Sequence, residues 1–372
     1  MNFLKNNKKL QIILFIILCG FAGVGIIFLG VFLAMRLHLT DVKGSIDSRN
    51  EFFNTVKKDG VRLPIIKKAS GLASFSKLDP VIECKIMTIN SVLPENGQRI
   101  LDTYITTKSS IIAEKMINAI LLVTENNNPF IKEKLDKCEE VSRDVFSSGN
   151  FTSQNIFIWM SSSEWETLRE ALVKDKDVIL QASHDSGVPA RLIVSTVISE
   201  QFRFFTANRE SYKKYFEPLK VLGNGTKFSY GVAGVKFETA RVIENNLKDT
   251  NSPFYLGADY EDVLNYGDAD PETELMGRLT DNKNHYYSYM YTAMFLKQII
   301  HQWEAAGYPV SDRPEVLATL FNLGFDKSTP KANPEVGGST ITIDDRDYTF
   351  GGLSYEFYYS GELREFFPIE VQ

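Results

Sequence analysis

"PARLIVSTVISEQFRFF", residues 189–205, is an almost unbroken apolar stretch that carries one carboxylate, Glu200. Residues three and four apart are neighbours on a helix, so Ile193, Thr196, Val197, Glu200 and Phe204 fall along one face. The carboxylate therefore lies on the apolar stripe. Carboxylates without a partner in apolar surroundings are driven toward the protonated form, and the C-terminal end of a helix acts in the same sense. A neutral carboxylic acid held in that way is what general acid catalysis requires. The same segment also admits an ion pair of Glu200 with Arg203 or Arg191, or a helix that ends early and leaves Glu200 in water.

The punctuation around this helix supports its placement. "SEWE" at 163–166 forms a capping box, Ser163 with Glu166 three residues on, and predicts a helix running through "WETLREALVKDKDVILQASHDSG" to Gly187. Pro189 then suits the first turn of the next helix, because the N–H it lacks would be unpaired there.

Two segments further on bear on Glu200. Residues 229–240 read "SYGVAGVKFETA" and residues 317–324 read "LATLFNLG", with a helical stretch "YMYTAMFLKQIIHQWEAAG" between them. Together with "SGVPARLIVSTVISE" at 186–200, they resemble in order and spacing the lytic transglycosylase branch of the lysozyme superfamily. In that family the catalytic glutamate closes a helix that follows a Gly-Val-x-like turn. A second motif has the form S-x-G-L-M-Q-x-x-P-x-T-A and a third L-A-x-x-Y-N-x-G. Ser229, Gly231, Thr239 and Ala240 keep the spacing of the second, and Asn322 and Gly324 that of the third. This chain departs from the pattern at Gly234 (glutamine in the family), Phe237 (proline), Phe321 (tyrosine) and Gln201 (serine).

The resemblance covers roughly residues 163–327. It implies Glu200 as the catalytic acid/base, with Ser229, Gly231, Gly234, Thr239, Phe321 and Asn322 at the substrate groove. The implied substrate is the glycan strand of peptidoglycan, cleaved between N-acetylmuramic acid and N-acetylglucosamine with formation of a 1,6-anhydro end. A muramidase that uses water, and a scaffold that binds peptidoglycan without cleaving it, are the alternatives on the same fold. Each matched position also has an ordinary structural use: Gly231 in a turn, Thr239 and Ala240 at a helix start, Asn322 and Gly324 at a helix end.

The rest of the chain sets the context. Its 372 residues, 44% hydrophobic with a net charge of −6, exclude a disordered protein and offer no broad basic surface, so no nucleic-acid partner is expected. From Ile12 to Met35 no charge occurs, a run longer than the ~20 apolar residues a helix needs to cross a bilayer. This predicts a cytoplasmic tail over 1–9 and a transmembrane helix over 10–36. Lys5, Lys8 and Lys9 before the run, against Arg36 and Lys43 after it, favour a cytoplasmic N-terminus. The expected location is then the cytoplasmic (inner) membrane, single-pass, with the catalytic domain facing the periplasm or cell exterior.

Residues 37–155 read as a membrane-proximal helical region, with helical stretches near 98–123 and 130–147 separated by "NNNP" at 126–129. Such a region suits docking to cell-wall or secretion machinery. Cys84 and Cys138 either form a disulfide or serve as two buried small hydrophobes. Residues 156–372 read as a mostly α, lysozyme-like α+β catalytic domain. "TITI" and "YTF" around "DDRD" predict a small C-terminal β-hairpin. Tyr348, Phe350, Tyr355, Phe357, Tyr358 and Tyr359 read as core aromatics, with stacking on sugar rings the alternative. No metal-ligand spacing, phosphate loop or internal repeat occurs, and no metal or organic cofactor is expected.

Overall fold

The computed structural model describes residues 8–36, 44–58, 79–124, 129–138, 155–206, 229–230, 232–267 and 269–370. They fall into two compact units, residues 1–43 and 44–372.

The first unit is helix α1, Lys8–Arg36. Among the described residues no helix is long and apolar enough to cross a membrane. This corrects the transmembrane helix expected over 10–36 and the single-pass membrane location built on it.

The second unit begins with strand β1 (Gly44–Ile46) and helix α2 (Asn50–Lys58). Helix α3 (Pro80–Val92) is started by Asp79, whose side chain accepts from the N–H groups of Val81 and Ile82, and by Pro80 in the first turn. Helices α4 (Pro94–Thr107) and α5 (Ser110–Thr124) share the expected stretch 98–123, separated by Lys108 in the left-handed conformation. Helix α6 (Pro129–Lys137) follows, and Cys138 just after it is joined to Cys84 of α3 by a disulfide.

Helices α7 (Ser163–Lys174) and α8 (Lys176–Ser186) replace the single helix expected from Ser163 to Gly187. The cap of α7 is Ser162, whose hydroxyl accepts from Trp165 N–H at 3.2 Å. Between the two helices, the Asp175 carboxylate accepts from Tyr289 Oη at 2.8 Å and meets His285 Nδ1 at 2.5 Å. Gly187 ends α8 with φ 69°, as its sequence position predicts.

Helix α9 (Ala190–Thr206) is buried from Ala190 through Glu200. Two short paired strands, β2 (Ser229–Tyr230) and β3 (Val235–Lys236), lead into α10 (Phe237–Lys248). Then come α11 (Pro271–Thr280), the long α12 (Tyr286–Ala305) and α13 (Pro314–Leu323). The chain closes with β4 (Gly337–Ile343), β5 (Arg346–Thr349) and α14 (Phe350–Ser360). Helix α9 packs against α12, α13, α14 and β4, which makes it the centre of the unit. A helix apolar on every side has no other stable place.

The C-terminal hairpin is present: β4 and β5 pair antiparallel from Thr340–Thr349 to Ile343–Arg346, turning through Asp344 and Asp345 at φ 48° and 61°. Two left-handed residues are what a tight hairpin turn matched to strand twist demands. All six C-terminal aromatics named above are buried, so the core reading holds for them. Arg191, fully buried, satisfies the end of α14. Its guanidinium donates to the carbonyls of Phe357, Tyr358, Glu362 and Phe367 at 2.7–3.0 Å. Burial pushes that guanidinium down to about 10.

Strand β1 pairs with β4, Gly44 opposite Ser339 and Ile46 opposite Gly337. A Cβ at Gly337 would lie 2.1 Å from the Ser45 carbonyl oxygen, so only glycine allows this approach. Next to it, Arg49 donates from Nη1 to Glu356 Oε1 at 2.9 Å and from Nε to Asp47 Oδ1 at 3.0 Å. Thr349 Oγ1 donates to Asp47 Oδ2 at 2.6 Å. Further ties, Arg99 to Glu362 and Lys115 to Asp312, connect α4 and α5 with the later part of the same unit.

Candidate active site

Helix α9 delivers Glu200 in its last two turns, buried, at the place where the chain must pass from core to surface. Of the two arginines that the sequence offers as partners, Arg203 is the one that meets it. Arg203 Nε donates to Oε2 at 2.9 Å and Nη2 to Oε1. The guanidinium carbon of Arg203 also lies 4.9 Å from the ring centre of Phe204. Arg191 is committed to carbonyls in the last turn of α14 and just after it.

The second motif meets Glu200 through a turn. Strands β2 and β3 pair Ser229 with Lys236 and Tyr230 with Val235, and the chain reverses between them. At Gly234, φ is +62°, and a Cβ there would lie 2.1 Å from Glu200 Oε1 and 2.7 Å from its Cγ. The backbone at 234 is therefore laid directly against the carboxylate. Gln201 Nε2 donates to the carbonyl of Val232 in the same turn, fixing it to the end of α9. Ser229 lies in β2, and Gly231 lies outside the described residues. Thr239 is half-buried in the first turn of α10.

The third motif occupies the end of α13. Phe321 packs on Phe295 at 5.1 Å and stacks on Phe350 at 6.4 Å between ring centres. The carbonyl of Phe350 accepts from Ser199 Oγ at 3.0 Å, so Phe321 is linked through Phe350 to Ser199, the residue before Glu200. Asn322 Oδ1 accepts from Ser339 N–H at 2.9 Å and from Ser339 Oγ at 3.1 Å. Its carbonyl end thus anchors β4. Gly324 caps α13 with φ 99°.

The assembled site is a buried carboxylate, a guanidinium on both of its oxygens, and a glycine turn laid against it. Sequence reasoning treated Gly234 and Gln201 as departures from the family pattern. In the fold they act together, since the turn held by Gln201 is the one that needs glycine at 234. The resemblance implied that Gly234 lines the groove of Glu200, but no local pattern in the sequence gave their direct contact, which the return of the chain creates.

Among the described residues no group of His, Cys, Asp and Glu could hold a metal ion. No family model, no curated protein and no solved structure matches this chain.

Proposed function

We propose that the protein is a peptidoglycan lytic transglycosylase with Glu200 as its acid/base. The observation that carries the reading is the direct contact between Glu200 and Gly234, which brings the first two segments of the family-like pattern to one point. In this chemistry Glu200 gives a proton to the glycosidic oxygen as the bond from C1 of N-acetylmuramic acid breaks. The resulting carboxylate then takes the proton of the 6-hydroxyl on the same sugar, whose oxygen closes on C1. No water enters, and one carboxylate serves both steps, whereas most glycosidases need two at a fixed separation.

One observation favours a second reading, a peptidoglycan-binding scaffold without catalysis: both oxygens of Glu200 are engaged by Arg203. Incubating the full chain with murein sacculi and analysing the soluble products by mass spectrometry separates the readings. Anhydromuropeptides support the transglycosylase, reducing ends indicate a muramidase, and absence of release with retained binding supports the scaffold. Release of the same products by Glu200→Gln would remove Glu200 from the mechanism.

A further inference from the structure

Strand β4 opens with "GGS", residues 337–339, all three buried. Ser339 donates to Asn322 Oδ1 twice, from its N–H at 2.9 Å and from its hydroxyl at 3.1 Å. A backbone N–H can only donate, so the amide atom that faces it must be the carbonyl oxygen. The orientation of Asn322 is thereby fixed, with Nδ2 at the opposite end. Nδ2 carries two N–H donors and makes no hydrogen bond among the described residues, and Asn322 is only half-buried.

The surroundings are built for this arrangement. Gly338 has φ +97°, and a Cβ there would lie 2.9 Å from Asn322 Oδ1 and 3.0 Å from Phe350 Cβ. Residues 337–339 take their strand partners from β1, whereas β5 pairs with β4 only from Thr340 on. Strand β1 therefore braces the residue that orients Asn322, with Gly44 opposite Ser339. Phe321, the neighbour of Asn322, stacks on Phe350, whose carbonyl accepts from Ser199, the residue before Glu200.

We propose that Ser339 is a positioning residue which, braced by β1, turns the Asn322 amide so that its N–H end alone is offered to the glycan. A group that only donates selects an acceptor, and the acetamido carbonyl is the acceptor that both N-acetylmuramic acid and N-acetylglucosamine carry. An N-deacetylated sugar presents an ammonium there, donor against donor, and is rejected. The proposal rests on the glycan-cleaving reading, and its test keeps the two apart.

The full chain is prepared as wild type, Asn322→Asp, Ser339→Ala and Ser339→Thr, and assayed on murein glycan before and after chemical N-deacetylation. Asn322→Asp keeps an acceptor for Ser339 and replaces the N–H end by a second oxygen. Its KM on N-acetylated glycan is expected to rise about 10–100-fold, with a smaller change in kcat. The preference of the wild type for N-acetylated glycan is expected to shrink or invert in this variant, because a carboxylate accepts from the ammonium. Ser339→Ala is expected to raise KM about 3–10-fold, since one bond then holds the amide where two did. Ser339→Thr, which keeps the hydroxyl, is expected to recover most of that loss. An unchanged preference in Asn322→Asp at an unchanged unfolding midpoint would overturn the proposal, as would wild-type KM in Ser339→Ala. Should Asn322→Asp lose its fold, the two Ser339 variants decide. If no protein cleaves either glycan, the transglycosylase reading fails, and cosedimentation with N-acetylated and N-deacetylated sacculi decides the selection. Tighter binding of the N-acetylated form that Asn322→Asp loses supports it, and equal binding of both forms by the wild type overturns it.

Discussion

Glu200 and Glu356 are both buried glutamates beside an arginine, and the fold holds them in opposite ways. Glu356 is sealed: Arg49 reaches one oxygen at 2.9 Å, and the other is buried with no hydrogen-bond partner among the described residues. Its partner comes from the far N-terminal edge of the unit, 307 residues away in sequence. Glu200 meets its partner three residues on, along the same helix, and Arg203 engages both oxygens. The first arrangement can change only if β1, α2 and α14 come apart. The second lies within one turn of a single helix. A long-range buried pair serves assembly, whereas a local pair at a helix end joins no distant parts of the chain.

Changing Glu200 tests the working side of this comparison and has the largest expected effect. Glu200→Gln should reduce anhydromuropeptide release by about 10²–10⁴-fold, the usual worth of a positioned acid/base, with a nearly unchanged unfolding midpoint. A large loss of stability with little loss of activity would place Glu200 with Glu356 as an assembly group.

Removing the cation on the other side should do the reverse. Arg49→Met leaves Asp47 and Glu356 without their shared partner, and urea unfolding should show a loss of about 3–5 kcal/mol. A loss under about 1 kcal/mol would mean that β1 holds its place through strand pairing alone.

At Gly234 the expected cost is smaller and falls on both stability and turnover. Gly234→Ala puts a Cβ into a left-handed position and against the Glu200 carboxylate, and about 1–3 kcal/mol of destabilisation should accompany the displaced acid. Wild-type stability and activity in this variant would show that the turn can retreat from Glu200.

The smallest effect is in pH dependence. Burial pushes the Glu356 carboxyl upward against the opposing pull of Arg49. The native state therefore keeps that proton longer than the unfolded chain does. Its contribution is full below the unfolded value of 4.5 and is lost as pH rises through the native one. Asp47 acts in the other sense. Burial raises it, but the hydrogen bonds and charge of Arg49 and the Thr349 hydroxyl outweigh burial and leave it lowered. Its contribution is present above the unfolded value of 3.8 and is lost as pH falls through the native one. In thermal unfolding followed upward from pH 4.5, Glu356→Gln should flatten the decline expected of the wild type. An identical profile in the two proteins would show that Glu356 does not titrate with folding.

Local chemistry made part of this structure legible. The apolar periodicity of 189–205 predicts α9, Gly187 its preceding stop, and the paired aspartates at 344 and 345 the hairpin turn. Helix geometry also carried more than the sequence reading drew from it. Arg191 lies nine residues before Glu200, about 13 Å along the axis, whereas Arg203 lies within one turn. The split between α7 and α8 was not legible, because the residue at the break, Asp175, takes its partners from α12 (Tyr289) and the residue just before it (His285). Strand β1 was missed for a similar reason. Three residues carry no periodicity, and their partners lie in β4.

What the sequence determined by itself is the helix that carries Glu200, the apolar stripe on which it sits and the arginine within reach, since each depends on residues a few positions apart. What only the tertiary structure decided is that a glycine turn some thirty residues later closes against the carboxylate. It also decided that the segment after residue 43 is stitched into the same unit by Arg49. Those contacts join parts of the chain that no local pattern connects, and they form only once packing of the core has brought them together.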